Sequence, residues 1–304
     1  MTLTSGPQEV RQWLAKRHGI LLAHNYQPGE IQDIADLTGD SLGLSIEAAQ
    51  TSAEVIVFCG VRFMAETAAI LCPDKLVLLP RLDVGCYMAD TITAAALRAR
   101  KHELPGVPVV TYVNSYADVK AESDICCTSA NAIRVVNSLP DPRVLMVPDR
   151  NLALYTARYT NKQVLYWQGC CNIHDNFTKE EVEACKAAHP GAIFMAHPEC
   201  RPEVLDLAEV IRSTSGMLVY ARQSAQREFI VGTEMGLIHT LQKENPQKHF
   251  YCPSSCLLCP DMKRISLDDV ISALRELKHV IRIPEEIRLK ALTAVNRMLA
   301  VPRD

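Results

Sequence analysis

Three stretches of this 304-residue chain repeat one order of elements, and that recurrence limits the possible folds more than any other feature. An apolar run ending in polar groups appears as GILLAHNY (19–26), VPVVTYVN (107–114) and GAIFMAHPE (191–199). Each is followed by a helical stretch that leads to a hydroxyl: Ser41, Ser129, and Ser213 with Thr214. A second apolar run comes next (AEVIVFCG, PRVLMVPD, MLVYARQ), then another helical stretch. The third run in each copy meets a cysteine: KLVLLPRLDVGC, KQVLYWQGCC and KHFYCPSSCLLC. Cys86, Cys171 and Cys259 are separated by 85 and 88 residues. Strands alternating with helices predict parallel sheets with crossover helices, and a near-constant period predicts copies of one unit.

The expected fold is therefore α/β, with three similar parallel-sheet units in a pseudo-threefold arrangement around a central cluster site. Their expected bounds are 1–87, 88–172 and 173–260, with C-terminal helices in 261–304 packed on the first unit. One of those helices carries a capping box, Ser266 with Asp269, and the other starts at Pro284. At the other end, a short amphipathic helix is expected, capped near Thr4 or Ser5 and closed by Gly19.

Parallel sheets bind ligands beyond the carboxyl ends of their strands. The repeat therefore predicts one composite site that gathers His24, Tyr26, Tyr112, Asn114, His197, Glu199 and the three cysteines. Composition removes several other functions. Lys and Arg number 32 against 35 Asp and Glu, so no basic excess suggests nucleic acid and no charged tail suggests a membrane surface. No apolar run approaches the ~20 residues of a membrane span, and the first residues lack a signal-peptide core, so a cytoplasmic location is expected. In that reducing setting most of the twelve cysteines are expected to be small buried hydrophobes rather than disulfides.

Two metal centres compete for the repeat-matched cysteines. A structural zinc site needs four ligands, normally from local CxxC pairs. Cys252, Cys256 and Cys259 form C-x3-C-x2-C, and Cys126–Cys127 or Cys170–Cys171 are the remaining thiol pairs. Adjacent cysteines seldom both ligate one ion, and no second CxxC is present. Three widely separated thiolates suit an iron–sulfur cluster better, holding three irons of a cubane and leaving the fourth as an open Lewis acid. The bland readings are structural histidines for His24 and His197, core aromatics for Tyr26 and Tyr112, a turn residue for Asn114, and helix caps for Ser41, Ser129 and Thr214. A cap and an anion site are compatible, because a helix N-terminus presents free amides. Glu199, after Pro198 at a strand end, is the candidate general acid/base.

These residues resemble the quinolinate synthase family over about residues 20 to 290. The likeness rests on AHNYQPGEIQDIADLTGDSL (23–42), FCGVRFMAETAAIL (58–71), LDVGCYMAD (82–90), TYVNSYADVKAESDICCTSANA (111–132), WQGCCNIHDNF (167–177), AHPEC (196–200), STSGM (213–217), VGTEMGL (231–237) and CPDMKRISL (259–267), all in order. The resemblance implies condensation of iminoaspartate with dihydroxyacetone phosphate to quinolinate, in NAD biosynthesis, on one [4Fe–4S] cluster per chain. It places the three cluster ligands on Cys86, Cys171 and Cys259. It places substrate binding on His24, Ser41, Tyr112, Val113, Asn114, Ser129, His197, Pro198, Glu199 and Thr214, with Ser213 beside it, and the chemistry on Tyr26 and Glu199. It also implies functional coupling to an aspartate-oxidising enzyme that supplies iminoaspartate. Some members carry C-x2-C-x2-C at the last ligand with a redox disulfide; the longer Cys252–Cys256 spacing here does not imply that bond. The alternatives are a diphthamide-biosynthesis-like enzyme acting on a protein, and a non-catalytic metal-storage or redox-binding protein.

Overall fold

The computed structural model describes residues 6–302, so the expected cap at Thr4 or Ser5 lies outside the described residues. Twelve strands form three four-stranded sheets, all parallel. The first holds β1 (Gly19–His24), β2 (Leu37–Gly39), β3 (Val55–Cys59) and β4 (Leu76–Leu78); the second holds β5 (Val109–Tyr112), β6 (Ile125–Cys127), β7 (Arg143–Val147) and β8 (Gln163–Tyr166). The third holds β9 (Ile193–Ala196), β10 (Val210–Ile211), β11 (Glu228–Gly232) and β12 (His249–Tyr251). The spatial order is the same in each: β2-β1-β3-β4, β6-β5-β7-β8 and β10-β9-β11-β12. The threefold α/β expectation is met at the level of strand order.

Buried apolar runs explain the central strands. Val55 to Cys59 is buried throughout, as are Val109 to Tyr112 and residues 229–232, as expected for strands covered on both faces. One run was misread. MLVYARQ, expected as the second strand of the third unit, forms the end of the helix Thr214–Gln223, and the strand is REFIVG a few residues later. Met217, Leu218 and Ala221 are buried at helical spacing, and the Ser213 side chain caps the helix by accepting from the Gly216 amide. The edge strands β2, β6 and β10 were not anticipated; they are two or three residues long and have almost no periodicity to read.

The ends also differ from expectation. The first helix, Gly6–Lys16, is turned into β1 by His18 at φ 48°, not by Gly19. The helix Leu267–Glu276 has the Ser266–Asp269 capping box and packs on Gly6–Lys16 and β3. The helix Glu285–Leu299, expected on the first unit, instead crosses the seam to the second. Ala291 meets Ile70 and Ala117, Ala294 and Val295 join the core of the second sheet, and Arg297 donates to the Asp124 carbonyl at 2.6 Å.

Polar seams fix the units against one another. The Gln32 side-chain amide donates to the carbonyls of Gln27 (2.7 Å) and Gly236 (2.9 Å) and accepts from Thr240 (2.6 Å). The turn after β1 is thereby tied to the third unit. Phe194 on β9 packs edge-on to Phe177 and lies over Gly232, where a Cβ would stand 2.6 Å from its ring. Replacing Phe194 by Ala removes a fully buried ring and is expected to lower stability by about 3–5 kcal/mol, measured by urea denaturation.

Candidate active site

The carboxyl ends of the three sheets surround one cavity of about 320 Å³. Its wall includes His24 at the end of β1, Tyr112 at the end of β5, and His197 and Glu199 in the turn after β9. Tyr26, Ser41, Asn114, Ser129 and Thr214 also line it. Ser41 and Thr214 are the first residues of their helices, so their hydroxyls sit beside free backbone amides. Three sequence candidates do not reach the wall: Val113 is core, Ser213 caps its helix, and Pro198 lies between His197 and Glu199 without lining the space.

Cys86, Cys171 and Cys259, one after each sheet, all line this cavity. Their loops repeat a local device. Cys86 and Cys171 cap the short helices Tyr87–Asp90 and Asn172–Asp175, and Cys259 precedes the 3-10 turn Asp261–Lys263. The backbone amides of Ala89, His174 and Met262, each three residues on, face the three sulfurs and favour their ionised form. Burial outweighs those amides: it pushes the Cys86 thiol up to about 12 and raises Cys171 and Cys259 as well. Three partly buried thiols, each met by an amide and placed on one wall, form a donor set that a cationic metal centre would complete. Their sulfurs are not compact enough for one ion. Among the described residues the one group whose ligand atoms all lie within 4.8 Å is Cys171, His174 and Glu199. Three thiols on the wall of one cavity, not gathered around a single ion, are a donor set that fits an iron–sulfur group.

A hydrogen-bonded chain links loops that follow strands of all three sheets. The Tyr26 hydroxyl lies 2.6 Å from Thr233 Oγ1, which lies 2.9 Å from His174 Nε2, and His174 Nδ1 lies 2.8 Å from Glu199 Oε2. Burial opposes ionisation of Glu199, but His197, His174 and the Tyr112 hydroxyl together hold it below the ordinary carboxylate range. Asp149, buried nearby, is pushed well above that range by burial and by the charge on Glu199. The two carboxyls are thus shifted in opposite directions, Glu199 down and Asp149 up. With Glu199 ionised the chain runs one way, Tyr26 donating to Thr233, Thr233 to His174, and His174 to Glu199. Tyr26 and Tyr112 are kept protonated by burial and by Glu199. Burial lowers His24 to about 3 and His197 to about 4, so both are neutral donor–acceptors at neutral pH.

Sequence reasoning missed His174, Thr233, Asp149 and Glu234. His174 had a usable signal, because it stands three residues after Cys171 and so on the same side of the turn. Glu234 accepts from the Cys259 amide at 3.1 Å and pairs with Lys263 at 2.8 Å, whose ammonium also donates to the Tyr26 carbonyl. Gly236 is required there, since a Cβ would lie 2.7–2.8 Å from Lys263, Glu234 and Tyr26. Among the described residues lining the cavity there is no lysine or arginine.

The family described as Quinolinate synthetase A protein matches residues 8–300 of the chain. The chain is 56% identical over 296 residues to the quinolinate synthase of Geotalea uraniireducens, covering 97% of both. It is 53% identical over 304 residues to that of Geobacter sp. strain M21, the full length of both. An archaeal relative, the quinolinate synthase of Methanosarcina barkeri, is 52% identical over 294 residues, 97% of both chains.

The buried histidines set a sign for pH dependence. Between about 4 and their ordinary 6.5, the unfolded chain binds protons that folded His24 and His197 do not, so each adds stability as pH rises through that window. Asp149, with its raised value, acts in the opposite sense but counts once against two. The unfolding free energy of the metal-free chain, from denaturant titrations at several pH values, is expected to fall on acidification through this window. A His24→Gln/His197→Gln chain should give a shallower profile.

Proposed function

The chain belongs to the quinolinate synthase family, and from that premise we propose that it condenses iminoaspartate with dihydroxyacetone phosphate to quinolinate, phosphate and water. On this reading one [4Fe–4S] cluster per chain is held by Cys86, Cys171 and Cys259, and the three units bounded at 1–87, 88–172 and 173–260 each contribute one ligand. When bound, the cluster supplies a Lewis acid with one free position for the dehydrations. The observation that supports the reading most is the recurrence of one device three times: a cavity-lining thiol after each sheet, each faced by the amide three residues on.

The chain's own residues supply the rest. Substrate carboxylates and phosphate are held without lysine or arginine on the wall, by Ser41, Ser129 and Thr214 hydroxyls, by free amides at helix starts, and by neutral His24 and His197. Asn25 donates to Thr214 Oγ1 at 3.0 Å and so aims that hydroxyl. Glu199, the anion, accepts a proton from the substrate. Tyr26 delivers one, and the Thr233–His174 link joins this acid to the base Glu199 in one hydrogen-bonded network. Holding both substrates in one enclosed space supplies the proximity advantage of a condensation. The synthesis of NAD, a cytoplasmic site of action and supply of iminoaspartate by an aspartate-oxidising enzyme follow from the same reading. Among the described residues no helix is long and apolar enough to cross a membrane.

Anaerobic purification with iron and sulfide counting, followed by an assay for quinolinate from the two substrates, tests the proposal. Serine at position 86, 171 or 259 should remove the cluster and turnover together. Glu199→Gln and Tyr26→Phe should keep iron and sulfide while kcat falls by about 10²- to 10⁴-fold. Full turnover by either variant would remove that residue from proton transfer.

A further inference from the structure

We propose that, when no cluster occupies Cys171, the chain binds one zinc-class divalent ion through Cys171 Sγ, His174 Nδ1 and the Glu199 carboxylate. The inference goes beyond the reading above and does not depend on it. These ligand atoms lie within 4.8 Å of one another, with His174 Nδ1 3.3 Å from Cys171 Sγ and 2.8 Å from Glu199 Oε2. A tetrahedral ion bonded at about 2.3 Å to sulfur and about 2.0–2.1 Å to nitrogen and oxygen needs edges of roughly 3.3–3.7 Å. The sulfur–nitrogen edge is already close to that, and the carboxylate has to withdraw by about half an ångström.

Two further features belong to a metal site rather than to a chance meeting of side chains. His174 Nε2 lies 2.9 Å from Thr233 Oγ1, an outer partner of the kind that fixes the ring of a ligating histidine. Charge also balances. A thiolate and a carboxylate offset a dication inside a buried wall, where burial otherwise keeps the Cys171 thiol protonated. On binding, the thiol proton leaves to solvent, and the imidazole proton moves from Nδ1 to Nε2, where it is donated to Thr233. All three ligands line the cavity, so the fourth position is open to water or an oxygen ligand. Sulfur, nitrogen and oxygen donors together suit zinc or cobalt rather than magnesium or calcium. A cluster that uses Cys171 and an ion at this site exclude each other, because both need the same sulfur.

The test uses the full-length Cys86→Ser/Cys259→Ser chain, stripped by chelator under reductant and titrated with cobalt(II). One equivalent is expected, with a thiolate-to-cobalt charge-transfer band and tetrahedral d–d bands that zinc abolishes. Adding Cys171→Ser should remove the charge-transfer band, and Glu199→Gln should weaken binding. Thr233→Val, which touches the ion only through His174, should lower affinity by about 10- to 100-fold while the bands keep their form. Cys252→Ser should change nothing. Circular dichroism identifies any variant that fails to fold, and Thr233→Val then replaces changes at the buried His174. The proposal is overturned if the double variant binds no stoichiometric cobalt, or if Cys171→Ser leaves the band and affinity unchanged.

Discussion

A parallel strand always delivers its following loop at the same end of the sheet, and everything in this structure depends on that constraint. Because all three sheets are parallel and share one strand order, the loops after β1, β5 and β9, and those after β4, β8 and β12, point inward to one space. Polar groups at strand ends cannot be buried without partners. Here they find them between loops of different sheets: Asn25 with Thr214, Tyr26 with Thr233, His174 with Glu199, Gln32 with Gly236. The seams that hold the units together are therefore the walls of the site.

Electrostatics in this space follows from burial. A dry wall resists charge, so phenols keep their protons, imidazoles lose theirs and thiols stay neutral. One carboxylate, Glu199, escapes the trend because two histidines and the Tyr112 hydroxyl surround it, and burial together with its charge raises Asp149. The result is a cavity whose wall carries carboxyl groups, imidazoles, phenols and thiols but no lysine or arginine among the described residues.

The turn Tyr26–Gly29 is held on several sides: Gln32 takes the Gln27 carbonyl, Lys263 takes that of Tyr26, and the Gln27 side chain donates to the Met262 carbonyl at 3.0 Å. Those bonds connect Tyr26 to the loop of the third cysteine. Glu234 lies at the junction, accepting from the Cys259 amide while paired to Lys263. Tyr26 and Cys259 are thus placed by one buried ion pair, although 233 residues separate them in the chain.

The threefold alternation of strands and helices, the three cysteines and their common period, and the capping box of Ser266 with Asp269 were legible in the sequence, because each depends on neighbours a few residues away. The same locality caused the errors. MLVYARQ is a short apolar run whose composition suits a strand or a buried helix, and only the Ser213 cap and the burial of Met217, Leu218 and Ala221 distinguish them. The position of Glu285–Leu299 could not be read either, since its apolar stripe fits any complementary face and the seam at Ile70 and Ala117 exists only after two units dock. What the sequence determined by itself is the repeat, the strand-end chemistry and the ligand candidates. What only the tertiary structure decided is which of those groups touch: the Tyr26–Thr233–His174–Glu199 chain joins loops that follow strands of all three sheets, and its distances are set by how three sheets pack together, which no local pattern encodes.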